Sequence, residues 1–335
     1  RELVQGQGLS FAEAVEAALK LSRFHTQRNR VIAFYGAFHG RTYGAMSLSA
    51  SKLPHRRGFS PLVPDIHHVP FPRYCGDCSL GGGCGCVKQL EEQLFRRTAP
   101  PDEVAAIFLE VIQGEGGYHT APLEFVRGLR ELCDKHGILL VVDEVQSGMG
   151  RTGKMFAVEH FGIEPDIICL AKGIASGLPL GAIVSKAHIM DWPPGSHAST
   201  FGGNPIACRS ALVTIDLLQR EYMANASERG RQLRDGLRDL AENYPAFRHV
   251  RGLGLMTAVD VVSPTGDYEP KLREKLIQGA FQRGLLLLGC GESALRFCPP
   301  LCITSEQVET CLTILREVTE AATEHLLASN ALALS

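Results

Sequence analysis

The 335-residue sequence has little that would place it at a membrane or on a nucleic acid. No apolar run reaches the length a bilayer-spanning helix needs, and no charged-then-apolar leader opens the chain. The 34 basic and 36 acidic side chains give a net charge of −2, so neither a basic face nor an acidic tail is expected. Internal repeats and low-complexity tracts are absent. So is the Gly-x-Gly-x-x-Gly turn of a dinucleotide site; GIASGLPLG (173–181) has the wrong glycine spacing. The first residue is Arg1 rather than methionine.

What is present is the composition of an ordinary soluble globular protein, 45% hydrophobic and 21% charged, enough for one large core or two modest ones. Seven of the 11 cysteines (Cys133, Cys169, Cys208, Cys290, Cys298, Cys302, Cys311) stand in apolar contexts and read as small core hydrophobes. The odd total argues for free thiols in a reducing compartment, hence a cytoplasmic protein. The other four, Cys75, Cys78, Cys84 and Cys86 in YCGDCSLGGGCGC, have enough thiolates for a tetrahedral zinc site. The five residues between the pairs are tight for two zinc knuckles, and no metal is expected.

Ser10 and Glu13 form a capping-box pattern that opens the helix AEAVEAALKLSRF. Apolar strands are expected at VIAFY (31–35), VAAIFLEVI (104–112), ILLVVDE (138–144), DIICLA (166–171) and LGAIVS (180–185). Between them lie the helices VKQLEEQLFRR and PLEFVRGLRELCDKH, the second stopped by Gly137. No strand is expected in RELVQGQGL, and 52–86 reads as irregular. Strands alternating with helices indicate an α/β fold with a mostly parallel central sheet. A smaller α+β domain is expected from 221 to 335, after a large domain spanning 1–220.

The stretch LLVVDEVQSGMGRTGKM (139–155) places Gly148, four residues and Gly153-Lys154 after an apolar run, close to the G-x-x-x-x-G-K-[ST] phosphate loop. Met155 stands where that loop needs a hydroxyl. The acidic residues also precede the glycines on one strand, whereas nucleotide hydrolases put the two features on different strands. The nucleotide reading fails on both counts. An aspartate at the carboxyl end of a buried parallel strand lies where α/β proteins build their sites, and is costly there unpaired. Taken alone, Asp143 reads as a helix cap or an ion-pair partner of Arg151 or Lys154. Lys172 shifts the balance. It follows the strand DIICLA in an uncharged setting, where desolvation lowers an amine's pKa and frees it to attack a carbonyl. A lysine and a carboxylate at neighbouring strand ends suit pyridoxal 5′-phosphate, the lysine forming an imine and the aspartate keeping the pyridine nitrogen protonated.

The motifs AFHGRT, LEVIQGEGG, VVDEVQSGMGRTG, AKGIASGLPLGA, STFGGNP and LRFCPPL run in order from about residue 10 to the end. They resemble those of class III aminotransferases of pyridoxal-phosphate fold type I, the group with 4-aminobutyrate, ornithine and acetylornithine aminotransferases. The resemblance implies Lys172 as Schiff-base lysine and general acid/base of the proton shift, with Asp143 at the pyridine nitrogen. It also implies Gln146 at the ring hydroxyl and Phe38 and Val145 on the two ring faces, with His39 among the cofactor-binding residues. Ser10 and Ala12 belong to the helix whose first amides would hold the cofactor phosphate, although Phe11 replaces a family glycine. Thr200 resembles the residue reaching the partner subunit's cofactor phosphate, which implies a homodimer. Arg296 resembles the arginine that grips the substrate α-carboxylate, and Glu115 the residue that pairs with it when an ω-amino substrate is bound. Glu110 opens the family's Glu-Pro pair, with Val111 in place of proline, and is counted with the substrate-binding residues. The cysteine cluster resembles an insertion in archaeal and bacterial 4-aminobutyrate aminotransferases.

The implied activity moves an amino group from an ω- or α-amino acid, of 4-aminobutyrate or ornithine type, to 2-oxoglutarate. Amino-acid racemases resemble the same branch and are the alternative, with an inactive cofactor-binding remnant behind them. The family's N-terminal segment has no counterpart here, so a truncated or mis-started form of a longer enzyme is expected.

Overall fold

Alternation along the strands decides which helix covers which face. In the computed structural model, which describes residues 3–5, 11–73 and 85–333, Val31 and Ala33 point to one side of β2 (Arg30–Phe34) and Ile32 and Phe34 to the other. The first side packs under α1 (Phe11–Thr26) through Ala14, Val15, Ala18 and Leu19; the second packs under Phe125, Val126 and Leu129 of the helix Leu123–His136. Because both faces are covered, the central strands carry no polar alternation. All six residues of β4 (Val104–Leu109) are apolar and buried.

The main sheet also contains β1 (Leu3–Gln5) and β3 (Ile66–Val69). After a hairpin of β5 (Ile112–Gln113) and β6 (His119–Thr120) it continues with β7 (Leu139–Asp143), β8 (Ile167–Leu170) and β9 (Ala182–Ser185). Its order is β1-β9-β8-β7-β4-β2-β3. Neighbours from β8 through β3 are parallel, and β9 runs antiparallel to both β8 and β1. Gly137, at φ 62°, closes the helix Leu123–His136 in the left-handed region that suits glycine, as the sequence indicates.

Beyond the helices Pro205–Leu217 and Met223–Asn243 a second sheet forms from β10 (Phe247–Leu253), β11 (Met256–Val261), β12 (Leu288–Cys290) and β13 (Ala294–Phe297). It is antiparallel, in the order β10-β11-β13-β12. Leu233, Leu237, Leu276, Leu312 and Leu315 pack its strands against the helices Met223–Asn243, Pro270–Gln282 and Ser305–Ala333.

Several expectations need correction. RELVQGQGL does supply a strand, β1, paired with β9. The 52–86 stretch contains β3, whose sequence IHHV hides its strand character behind two histidines. VAAIFLEVI is not one strand: it breaks after Leu109, and Ile112 enters the hairpin. The helix begun at Gly85 passes into a π-helical stretch, Leu90–Phe95. Cys298 and Cys302 are exposed rather than core residues, and Cys208 and Cys311 are half-buried. Ser10, on which the expected cap rests, and Cys75, Cys78 and Cys84 lie outside the described residues.

Candidate active site

Four parallel neighbours, β2, β4, β7 and β8, end on the same edge of the main sheet, and each delivers a polar side chain there. β2 leads into the loop carrying Phe38 and His39, β4 into Glu110, β7 ends on Asp143, and β8 is followed by Lys172. The β7–β8 register pairs Asp143 with Cys169, which brings the aspartate within three residues of the lysine along the next strand.

Asp143 is 4% exposed, and its charge is compensated locally. His39 Nδ1 donates to Oδ2 at 2.8 Å, and the Val145 amide donates to Oδ1 at 3.0 Å. The partners suggested by sequence proximity are engaged elsewhere. Arg151 donates to the carbonyls of Leu255 and Pro299, and Lys154 to that of Glu159. Burial lowers the His39 pKa, but the Asp143 hydrogen bond and the charges of Asp143 and Glu110 outweigh it, leaving a net rise. Glu110 accepts the Phe38 amide at 3.0 Å and the Gly114 amide at 3.1 Å, one on each oxygen. Burial pushes its carboxyl up to about 7.

Lys172 has φ +42°, a left-handed backbone that costs a lysine about 1–2 kcal/mol and that its surroundings must hold in place. It lines a cavity of about 470 Å³ together with Val145, Gln146, Arg151, Ser176 and Cys298. The residue is open to this cavity, yet its amine is enclosed enough that desolvation lowers its pKa against the opposing charges of Asp143 and Glu110. Gln146 leans over Gly114 so closely that an added Cβ there would sit 1.9 Å from Gln146 Oε1.

A second cluster lies where the β5–β6 hairpin meets β13. Glu115 Oε1 accepts from Arg296 Nη1 at 2.7 Å and Oε2 from Lys52 Nζ at 2.8 Å. Burial raises the Glu115 pKa, but its two cations hold it below the usual carboxylate value. Arg296 Nε is buried without a hydrogen-bond partner among the described residues, as is His39 Nε2.

Phe38 is half-buried, its ring 4.9 Å from that of His55. Val145 is buried on the cavity wall. Ala12 packs beneath the AFHGRT loop, where an added Cβ on Gly40 would fall 2.9 Å from its own Cβ. Thr200 is exposed and is not among the cavity's lining residues, and Ser10 lies outside the described residues. Sequence reasoning missed Lys52, which bonds across 63 residues with no local pattern to announce it. It also weighed Arg151 only as an ion-pair partner of Asp143, whereas Arg151 lines the cavity together with Gly148 and Met149.

An amine of lowered pKa, a buried aspartate braced by an imidazole, and a cavity-lining amide fit the aldehyde, pyridine nitrogen and ring hydroxyl of pyridoxal phosphate. The unpartnered Arg296 Nε suits a substrate carboxylate nearby.

The comparisons agree. The family model for class III aminotransferases matches residues 9–319. A 4-aminobutyrate aminotransferase of Escherichia coli is 38% identical over 91% of this chain and 72% of its own length. An alanine/serine racemase of Pyrococcus horikoshii is 38% identical over 92% of this chain and 67% of its own. A taurine:2-oxoglutarate aminotransferase of Bifidobacterium kashiwanohense, solved in complex with pyridoxal phosphate and glutamate, superposes with a TM-score of 0.87 at 30% identity. That likeness covers 96% of this chain and 75% of the other. With its fold, its site and its sequence in agreement, the chain belongs to the class III aminotransferases, the pyridoxal-phosphate-dependent transaminases of fold type I.

Proposed function

We propose that the enzyme moves the amino group of an ω-amino acid of 4-aminobutyrate, 5-aminovalerate or ornithine type to 2-oxoglutarate. The observation that carries this reading is the Glu115–Arg296 pair at 2.7 Å. With the pair closed, Arg296 is neutralised and the site accepts the uncharged chain beside an ω-amine. With the pair open, Arg296 presents Nε and Nη to the α-carboxylate of 2-oxoglutarate or glutamate. The named activities of the relatives, 4-aminobutyrate and 5-aminovalerate aminotransferases among them, support the same donor class.

When bound, pyridoxal phosphate supplies a carbonyl that condenses with amines and a ring that takes up the electrons of the substrate bond being broken. Lys172 is the residue that would hold the cofactor through its aldehyde, and its amine would serve as the general acid and base that moves a proton during amino transfer. Its lowered pKa makes the neutral amine available for both tasks. Asp143, oriented by His39, holds a proton on the pyridine nitrogen. Gln146 bonds the ring hydroxyl, and Phe38 and Val145 confine the ring. Glu110 acts through the backbone of Phe38 and Gly114, positioning the ring-stacking and Gln146 segments, and makes no bond to substrate in this reading. The first amides of α1, near Ser10 and Ala12, hold the phosphate.

A homodimer completes the site in this reading. On the helix Pro205–Leu217, Ile206, Val213 and Leu217 fall on one stripe at helical spacing and are exposed, as is Phe201 beside Thr200. A second copy covering this stripe would carry Thr200 to its neighbour's cofactor phosphate. The chain divides near 220 into a cofactor-binding large domain and a smaller C-terminal domain. Among the described residues no helix is long and apolar enough to cross a membrane, and the composition suits the cytoplasm.

The test is a donor screen on cofactor-loaded protein with 2-oxoglutarate, reading glutamate formed. Glutamate from 4-aminobutyrate, 5-aminovalerate or ornithine, abolished in Lys172→Ala, is the expected result. The P. horikoshii relative favours a second reading, racemisation. Enantiomer exchange of alanine or serine without any oxo acid, and no glutamate from any donor, would replace the first reading with that one.

A further inference from the structure

Glu115 sits between two cations rather than facing one. Its Oε1 is 2.7 Å from Arg296 Nη1 and its Oε2 is 2.8 Å from Lys52 Nζ. The three side chains differ in exposure: 38% for Lys52, 21% for Glu115 and 13% for Arg296. Lys52 approaches from the solvent side and Arg296 from within. The backbone around them is pinned. The Glu115 carbonyl accepts the Gly291 amide at 2.9 Å, next to the turn that leads into β13, and the Lys52 carbonyl accepts the His55 amide at 3.1 Å. The side chain of Glu115 is therefore free to swing only about a fixed Cα, and whichever bond it breaks, the other remains in reach.

That arrangement matters for an exchange of partners. If Arg296 left Glu115 for a substrate carboxylate, a glutamate with no second cation would stay behind half-buried and unpaired, a cost set against carboxylate binding. A second cation on the other oxygen removes most of that cost. It also weakens the grip of Glu115 on Arg296, because the carboxylate's charge is already shared. Arg41 lies over the Phe38 ring at 5.9 Å; burial lowers the His55 pKa, and the charges of Arg41 and Lys52 lower it further against the charge of Glu115. This side of the site is thus rich in positive charge, with Glu115 as the carboxylate it surrounds.

We propose that Lys52 is a specificity-determining residue: it retains Glu115 when Arg296 takes up a substrate carboxylate, so that the dicarboxylate half-reaction proceeds without stranding a buried charge. The inference rests on the dual-substrate reading above and adds to it the residue that sets the balance between the two substrates. Lys52 touches neither substrate nor cofactor in this account and acts through Glu115.

The experiment compares wild type with Lys52→Met, Lys52→Arg, Glu115→Gln and the double variant Lys52→Met/Glu115→Gln. It reads KM and kcat separately for the amino donor and for 2-oxoglutarate. It also reads calorimetric binding of glutarate, a dicarboxylate that cannot react. Lys52→Met is expected to raise the KM for 2-oxoglutarate and the Kd for glutarate about tenfold, with the donor KM changed less than about twofold. Lys52→Arg restores both. In the Glu115→Gln background Lys52→Met has no further effect, because there is no charge left to retain. A mere loss of positive field would weaken glutarate equally in both backgrounds, and that result overturns the proposal. So does a wild-type enzyme that transaminates normally while Lys52→Met shifts both substrates together or neither. A wild type that binds glutarate yet transfers no amino group overturns the proposed function instead, and the glutarate comparison still decides the role of Lys52.

Discussion

His39 Nδ1 lies 2.8 Å from Asp143 Oδ2, with both side chains closed to solvent. An ionised carboxylate only accepts, so the imidazole is the donor and its orientation is fixed by this bond. His39→Ala would leave one oxygen of a buried aspartate without its partner, a loss of about 3–5 kcal/mol. The expected results are a drop in Tm and a weaker hold on the cofactor, read as the concentration of pyridoxal phosphate needed to develop the bound-cofactor absorbance. His39→Asn keeps a donor toward Asp143 and recovers part of both. Because the net pKa of His39 is raised in the fold, its contribution is fully present below the unfolded value of 6.5 and is lost as pH rises through the higher folded value. The Tm gap between wild type and His39→Asn should therefore narrow from pH 6 to pH 9; a gap that widens would contradict the assignment.

Gly114 gives a sharper test of the cofactor wall, because a single methyl group is enough. A Cβ there would meet Gln146 Oε1 at 1.9 Å and Glu110 Oε1 at 3.3 Å. Gln146 must rotate away, since the Gly114 backbone is tied to Glu110 through its amide. Gly114→Ala is expected to leave the fold's Tm within about 2 °C and to weaken pyridoxal phosphate about 10- to 100-fold, the range for losing a well-placed hydrogen bond plus some strain. If Gln146 plays no part at the ring hydroxyl, affinity for the cofactor will not move.

These two sites differ in how far the sequence announced them. Asp143 and Lys172 were legible as a pair: each ends an apolar run, and although Asp143 alone has a structural reading, a carboxylate and a lysine at neighbouring strand ends lie where α/β proteins build their sites. Of the expected strand VAAIFLEVI only VAAIFL forms one; its six apolar residues without alternation mark a central strand covered on both faces, but nothing in the pattern marked its end at Leu109. β1 was not legible, because LVQ is three residues long and takes its strand character from pairing with β9. Lys52 and Glu115 are 63 residues apart and meet only through tertiary structure, so no spacing rule reaches them. The Asp143 partner was misjudged on the same ground: Arg151 and Lys154 are near in sequence, whereas His39 is 104 residues away and adjacent in space.

Glu144 follows Asp143 but faces the other way, fully buried, accepting from Ser147 Oγ at 2.5 Å and from the Val158 amide at 2.7 Å. Burial pushes its carboxyl up to about 7 against those hydrogen bonds. The fold therefore binds a proton here that the unfolded chain, with a carboxyl near 4.5, has already released between those two values. Stability from this group is present below 4.5 and declines as pH rises toward 7. Glutamine mimics the protonated form and can still accept the Val158 amide while donating to Ser147. Glu144→Gln is expected to be least costly, or stabilising by about 1–3 kcal/mol, at pH 8, and to lose that advantage at pH 5. Urea unfolding of both proteins at the two pH values measures it. An offset equal at both pH values would show that Glu144 stays ionised throughout.

The exposed stripe of Ile206, Val213 and Leu217 makes the dimer testable through two variants with opposite expectations. Val213, 48% exposed in the single chain, would be buried against a second copy in the proposed assembly. Val213→Glu puts a charge into that contact, which costs far more than on an open surface, where such a change stays within about 0.5 kcal/mol. Wild type should run in light scattering at twice the 36.4 kDa chain mass, and Val213→Glu at one chain mass with its circular dichroism unchanged. Thr200→Ala should keep the wild-type mass, because Thr200 is exposed and contributes a hydrogen bond rather than area. It should nonetheless bind pyridoxal phosphate about tenfold more weakly, the loss expected for a hydroxyl bonded to a charged phosphate. Monomeric Val213→Glu should show at least the same loss, since it removes Thr200 from the neighbouring site altogether. A wild type that is monomeric with full cofactor affinity would remove the shared site from the account. A Val213→Glu monomer that holds the cofactor as tightly as the dimer would detach Thr200 from the phosphate while leaving the interface in place.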